Sequence, residues 1–476
     1  MARREVRIAW FSPFPPVRTG IAGRSAELVA ALAARGFSVD RYPEAAAHDF
    51  PWRHRQAPYD LVVYQFGNSS HHDYAWPYAL RYPGLVVLHD TRLHHARAAL
   101  LLREKRVADY RAELAWSEPA VSPDAAELAV AGFDSRLYYD WPMVRGLVAS
   151  SRLTAVHGDA ARDDLIAALS TPNDATPKNQ VNSQADNSQA PTSNLQPPTS
   201  NLDVAARIVS IRLGEGELVR PEREARARAE IRLRYDIAPD AIVFGSFGGM
   251  TPEKRLPQIL AALRATLRHA PNAHLLLVGA RAAHYDVAAG IAALDLQRHV
   301  TVAGYLERDA DLTDHLAACD VSLNLRWPTA RETSGPWLRA LAAARPTIVT
   351  DLVHLADVPS LDPRTWTARE ARGAAGEMRP VCVAIDILDE DHSLRLAMRR
   401  LAGDAALRAE LGAAAREWWQ REHSVEVMVG DYERAIAAAM VQPDPDVTLP
   451  AHMRNEGDMR LREIVSAFGL TSPLDS

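Results

Sequence analysis

The sequence predicts an α/β protein built of two doubly wound domains that face each other across a cleft. Two observations carry that prediction. Short apolar, β-branched runs alternate with helical segments in two separate series, and a polar, proline-containing stretch parts the series. Continuous apolar strands alternating with helices imply parallel sheets covered on both faces. A chain of 476 residues is also too long for one ordinary core.

The first series comprises Val6–Phe11 (VRIAWF), Phe37–Tyr42, Leu61–Phe66, Leu85–Asp90 and Leu153–His157. After its first run lies PPVRTGIAGRSAELVAAL (Pro15–Leu32), a turn that leads into a helix. Gly20 and Gly23 there permit close backbone approach to a ligand. The spacing is not G-x-G-x-x-G and no Walker lysine follows, so a plain tight turn stands beside the ligand role. His89 and Asp90 close the fourth run at its carboxyl end, where a histidine serves either structure or chemistry. His94 and His95 are adjacent and point to different sides of a helix, which makes them poor joint metal ligands. The stretch Arg92–Arg111 is basic and apolar in patches, but Glu104 and Asp109 dilute it. It is expected to be a solvated helix rather than a membrane-contacting one.

Between the series, Ser170–Leu202 has no aromatic residue and is dominated by Pro, Asn, Gln, Ser and Thr, with PTSNL occurring twice. Such a segment buries too little apolar surface to order itself, so 170–205 is expected to be a disordered insertion. Ala206–Gly214 (ARIVSIRLG) resumes as a strand, and 206–221 ends the first domain and forms a linker.

The second series comprises Ile242–Phe247, His274–Gly279, Val300–Tyr305, Asp320–Leu325, Thr347–Asp351 and Val381–Asp386, within a domain expected over 222–415. Its first run enters FGSFGGMTPEKRLP, a glycine turn at Gly248 and Gly249 followed by Lys254 and Arg255 near a helix start. Glycine amides with a cation suit a diphosphate, and a solvated surface Lys-Arg pair is the plainer alternative. Later, RWPTARETSG (Arg326–Gly335) joins the fourth run to a short helix, Pro336–Ala344, that Arg345-Pro346 stops. Glu332 precedes that helix, where free N–H groups and the helix dipole favour an anion. It is either a helix-start residue or one wall of a site for an anionic ligand. Asp309-Ala310-Asp311 spells D-x-D, but helix capping accounts for it better than metal binding. Beyond Asp386 the chain reads as helical to about Met440. Residues 416–440 are expected to return to the first domain, and 441–476 to form a tail.

The net charge of −6 gives no basic field for nucleic acid. Two cysteines build neither a disulfide framework nor a zinc site, and they fit a reducing cytoplasm. The charged start MARREVR runs straight into a strand rather than an apolar signal core, and no apolar run is long enough for a bilayer.

His89, Lys254 and Glu332 all fall at strand-to-helix loops, which in this architecture line one cleft. Together with TGIAGRS, YQFGN, LVVLHD, GGMTPEKR, LLLVG and ETSGPWLRAL followed by RPTIVTD, they make the chain resemble a known group. That group is glycosyltransferase family 4, the retaining nucleotide-sugar transferases of the GT-B fold, and within it a bacterial branch with an E-T-S-G donor motif. The resemblance spans nearly the whole chain except the insertion and the tail. It implies two Rossmann-like domains, with the acceptor bound by 1–169 and the donor by the second domain. It further implies transfer of a sugar, with retained configuration, from a nucleoside diphosphate sugar to a glycan, lipid-linked or small-molecule acceptor. No metal and no other cofactor is implied. The location implied is cytoplasmic, with contact to the inner face of the plasma membrane left open.

Carried over residue by residue, the resemblance makes Glu332 and His89 catalytic. Lys254, Arg255, Gly248, Gly249, Thr333, Ser334, Gly335, Arg339 and Tyr305 line the donor site, and Gly20, Ile21 and Ala22 form an acceptor and phosphate loop. A donor diphosphate oxygen takes the acceptor's proton. Two departures stand out. The family's second glutamate falls near Arg339 or Ala340, neither a carboxylate, and Gly249 stands where an arginine is common. Arg339, one turn after Gly335, is placed to face the phosphates instead. Two other functions share these features: a nucleotide-sugar epimerase, and a non-catalytic sugar-nucleotide-binding or assembly protein.

Overall fold

The computed structural model describes residues 5–133, 137–170, 204–369, 371 and 379–455. The first sheet contains β1 (Val6–Phe11), β2 (Phe37–Tyr42), β3 (Leu61–Phe66), β4 (Leu85–Leu88), β5 (Leu153–His157) and β6 (Ile208–Ile211). Its order is β2-β1-β3-β4-β5-β6, and every neighbouring pair is parallel. The second contains β7 (Ile242–Phe247), β8 (Ala273–Val278), β9 (Val300–Gly304), β10 (Val321–Asn324), β11 (Thr347–Thr350), β12 (Ser360–Leu361), β13 (Ala368–Arg369) and β14 (Cys382–Ile385). Its order is β13-β12-β14-β11-β10-β7-β8-β9, parallel except for β12 with β13.

The apolar runs become strands because helices cover both faces of each sheet. All six residues of β3 are buried, and so are five of the six in β7. The two-residue strands β12 and β13 carry no periodicity to detect and were not anticipated from the sequence. Around Phe11 an aromatic cluster fills one face of the first sheet, with Tyr42, Phe50, Tyr64 and Tyr78 ring centroids all within 5.1 Å of it.

After β6 the chain crosses to the second domain, where the Pro221–Arg234 helix packs on the Asp309–Ala318 helix. Residues 416–440 divide between two helices. Ala405–Glu422 stays with the second domain against the Gly335–Ala342 helix, and Val425–Val441 lies on β5, β6 and the Gly20–Ala34 helix of the first. There Tyr432 tilts against Trp10 at 5.8 Å and its hydroxyl donates to Gln65 Oε1 at 3.2 Å. A fork from Arg212 to Asp431, 2.8 and 2.9 Å, ties the same helix to the end of β6. The short helix Ala451–Arg454 continues onto the first domain, where His452 Nε2 lies 3.2 Å from Glu113 Oε2.

The Arg92–Arg111 stretch corrects its expectation. It forms two helices, His94–Arg103 and Val107–Ser117, and much of its basic charge turns inward. Arg92 donates to Asp164 at 2.9 Å, and Arg97 grips Glu113 through bonds of 2.7 and 2.8 Å, both partners fully buried. Asp164 lies 72 residues from Arg92 and Glu113 lies just past the end of the stretch, so the charge pattern of the stretch itself did not reveal them. Glu113 is desolvated, which by itself raises a carboxyl's pKa, but Arg97 and then His452 outweigh this and hold it at about 2. The expected insertion falls almost wholly outside the described residues, with Val204–Arg207 forming one helical turn at its far end. The expected tail is described only as far as residue 455.

Candidate active site

A cleft of ≈ 1620 Å³ opens between the carboxyl ends of the two sheets. One wall comes from the first domain, through Gly20, Ile21, Gly67, Asn68, His89 and Asp90. The other comes from the second, through Gly248, Gly249, Lys254, Tyr305 and the loop that holds Glu332, Thr333, Ser334 and Gly335. Strand ends in a doubly wound sheet leave their loops to build such a site.

Lys254 ends a single 3₁₀ turn, Pro252–Lys254, just after β7. Gly248 makes room for it. Its φ is +108°, and a Cβ there would lie 3.2 Å from Lys254 Nζ. The ammonium donates to the Phe247 carbonyl at 3.2 Å and the side chain is buried. Burial, followed by the charge of Arg326, pulls its pKa down to about 7. Arg255 does not share the cleft, which corrects the expectation for it. The residue takes the left-handed conformation at φ 58° and turns its guanidinium to Glu390, Nε to Oε1 2.8 Å, on the Glu390–Gly403 helix.

Glu332 is not the cap of the following helix. That role belongs to Ser334, whose Oγ accepts from the Trp337 N–H at 3.4 Å. The Glu332 carboxylate instead accepts from the Thr329 hydroxyl at 2.8 Å and pairs with Arg326. Its loop rests on the first domain. The Arg92 N–H donates to the Ala330 carbonyl at 3.2 Å, Arg331 pairs with Asp164, and the Thr333 hydroxyl reaches the His157 carbonyl at 3.5 Å.

His89 has both ring nitrogens engaged inside the protein. Nε2 donates to Gln65 Oε1 at 2.7 Å, and that oxygen only accepts, so Nδ1 receives the N–H of His157 at 3.1 Å. Burial, then His157, keeps the ring well below its usual pKa and neutral. Towards the cleft it therefore offers a ring edge rather than an acid or base.

Beside it, Asp90 was quoted in the sequence but given no role. Its carboxylate accepts the Asn68 N–H at 2.7 Å and lies under Gly67, where a Cβ would come within 3.3 Å of Oδ2. Burial, then the charge of Glu332 across the cleft, pushes its pKa up to about 7. A carboxyl poised there is suited to moving a proton.

Of the glycine turn, Gly20 and Ile21 line the cleft, but Ala22 does not. Ala22 is fully buried and its N–H is taken by Thr19 Oγ1 at 3.1 Å, because it belongs to the capped first turn of the Gly20–Ala34 helix. Tyr305 is half exposed at the cleft mouth, where the Arg18 guanidinium lies 5.6 Å from its ring centroid and donates to Glu307 at 2.8 Å. Arg339 faces the cleft but is paired, with Glu215 and, at 3.0 Å, with Asp309. Glu215 also pairs with Arg24. Neither Arg24 nor Glu215 was singled out from the sequence. Arg24 stood within TGIAGRS, while Glu215 sits in a linker that carries no motif. A smaller cavity of ≈ 820 Å³ lies behind Thr333, among β6 and the last helices, and takes in none of the other expected residues.

Residues 241–365 match the family described as glycosyl transferases group 1, a segment that lies wholly in the second domain. No curated protein matches the chain. Among solved structures, the chain is similar to a sucrose-phosphate synthase from Thermosynechococcus elongatus, with 16% identity and a TM-score of 0.56 over 91% of this chain and 100% of that one. It is also similar to Anabaena HepE in complex with UDP and glucose, with 13% identity and a TM-score of 0.54 over 91% and 100%. A glycosyltransferase from Rickettsia africae gives 12% identity and a TM-score of 0.53 over 93% and 100%. The two parallel-sheet domains thus have the GT-B arrangement.

Proposed function

We propose that the protein is a retaining glycosyltransferase of family 4, moving a sugar from a nucleoside diphosphate sugar to a glycan, lipid-linked or small-molecule acceptor without a metal. One observation carries this reading. Within the segment that matches group 1 glycosyltransferases, a buried lysine and a carboxylate stand on one wall of the interdomain cleft. As the bond between sugar and diphosphate breaks, negative charge gathers on the leaving group and positive charge on the ring. Lys254 and the free amides at the start of the Gly335–Ala342 helix stabilise the first (Pro336 has no N–H to offer). Glu332 stabilises the second and orients sugar hydroxyls, with Arg326 and Thr329 fixing its rotamer. A diphosphate oxygen receives the acceptor's proton, and His89 closes the wall beside the transferred sugar.

Both cysteines are buried and unpaired, in keeping with a reducing compartment, where we place the reaction. Among the described residues no helix is long and apolar enough to cross a membrane. The experiment is a thermal-shift panel of nucleotide sugars, begun with uridine diphosphate sugars because HepE was solved with UDP. Saturation at about a hundred times the dissociation constant adds roughly 2.7 kcal/mol. Turnover of the best donor with a panel of acceptors, and the anomeric configuration of the product, then test transfer and retention. A panel without a single stabilising nucleotide would remove the reading.

A further inference from the structure

Glu215 stands on the segment that joins the domains and is only 7% exposed. Its carboxylate pairs with guanidinium groups from both sides. Arg24 lies one turn into the Gly20–Ala34 helix of the first domain, and Arg339 lies in the Gly335–Ala342 helix of the second. A Cβ built on Gly335 would lie 3.3 Å from Glu215 Oε2, so the carboxylate also rests against the first residue of that helix. Amides there have no intrahelical partner. Arg24, Glu215, Gly335 and Arg339 all line the cleft. Two guanidiniums from opposite domains and a helix start thus converge on one point, and a carboxylate of the chain fills it.

The Glu215 main chain is held by other bonds. Its carbonyl accepts from Trp419 Nε1 at 2.7 Å, and its N–H donates to the His423 carbonyl at 3.2 Å. The side chain is therefore free to swing away without unseating the backbone.

We propose that Glu215 is an internal anion seated in the diphosphate subsite, and that a nucleoside diphosphate displaces its carboxylate from Arg24 and Arg339. A diphosphate carries more charge than one carboxylate and offers each guanidinium two oxygens, so it wins the exchange. Asp309, the other partner of Arg339, has a side chain 65% exposed and competes far less through solvent.

The proposal rests on the function assigned above, and its test keeps the two apart. UDP, ADP and GDP are titrated by calorimetry into the wild type, Glu215→Gln, Asp309→Asn and Arg339→Ala. Glu215→Gln keeps the shape but removes the carboxylate charge between the two guanidiniums, which keep only the Gly214 carbonyl and the exposed Asp309 as partners, so the preferred nucleotide binds it about tenfold more tightly. Asp309→Asn stays near wild type, and Arg339→Ala binds about tenfold more weakly. If Glu215→Gln folds and binds no more tightly than wild type, the displacement is wrong while the donor site stands. If none of the three nucleotides binds any of these proteins, the glycosyltransferase reading falls and takes this proposal with it. Should Glu215→Gln fold poorly, Glu215→Asp decides, because the shorter side chain keeps the charge but reaches the two guanidiniums less well. Tighter binding of the preferred nucleotide than by the wild type supports the displacement, and equal or weaker binding refutes it.

Discussion

Lys254 sits close to the point at which it loses its proton, and that has a measurable consequence. With a pKa of about 7, most of its side chains are neutral at pH 8. A bound diphosphate favours the charged form and raises the pKa, so binding near pH 8 takes up a proton. Calorimetry in buffers of different ionisation enthalpy should show that uptake, and Lys254→Met should lose it; buffer-independent heats would separate Lys254 from the anion. Asp90 carries the opposite sign. Its folded pKa of about 7 lies above the unfolded 3.8, so the folded state binds the extra proton. The stability this contributes is complete below about pH 4 and is lost as pH rises through 7. Asp90→Asn should therefore raise the melting temperature more at pH 8 than at pH 5, and an equal change at both would contradict the shift. For His89 the internal bonds decide. His89→Ala leaves the buried His157 N–H without its acceptor, while Gln65 Oε1 keeps Tyr432, and should cost about 1–3 kcal/mol of stability. Turnover should fall with it, while the pH profile keeps its shape. A lost ionisation in that profile would restore His89 as an acid or base.

At the scale of elements, the strands were legible because burial on both faces writes an unbroken apolar run into the sequence. The position of the site was legible too, since loops after parallel strands face the cleft. What each side chain does there was less so. Which of Lys254 and Arg255 points inward depends on the left-handed backbone at Arg255, and no composition rule encodes that turn. The Arg24–Glu215 pair joins residues far apart in the chain, and the engaged nitrogens of His89 depend on side chains of two other strands, Gln65 in β3 and His157 in β5. The Gly335–Ala342 helix shows how a short element is held in place. Eight residues are marginal as an isolated helix. Here Ser334 caps it, Pro336 suits its first turn, and Trp337 Nε1 donates to Thr347 Oγ1 at 3.1 Å while its ring meets Trp418 at 5.8 Å. Ser334→Ala should cost about 1 kcal/mol and, by loosening the amides proposed above to meet a diphosphate, weaken nucleotide binding as well. Unchanged binding in that variant would mean the helix start does not meet the anion.

At the scale of the molecule, the second domain is set within the first. One core gathers Ile8, Trp10 and Leu28 from the start of the chain with Met428, Tyr432 and Ile436 from its end. Fragment 1–213 should therefore show secondary structure without fixed packing, read as far-UV dichroism with little near-UV signal. A cooperative melt from that fragment would show the returning helix to be dispensable. The same arrangement bears on biosynthesis. A ribosome releases Trp10 first and Tyr432 about 420 residues later, roughly 20–80 s at about 5–20 residues per second. Through that interval the whole second domain emerges and folds, while the domain made first waits with one flank of its sheet uncovered. Order of synthesis and order of completion are thus reversed, and the nascent chain has its greatest need of a chaperone while the half translated earliest is still open.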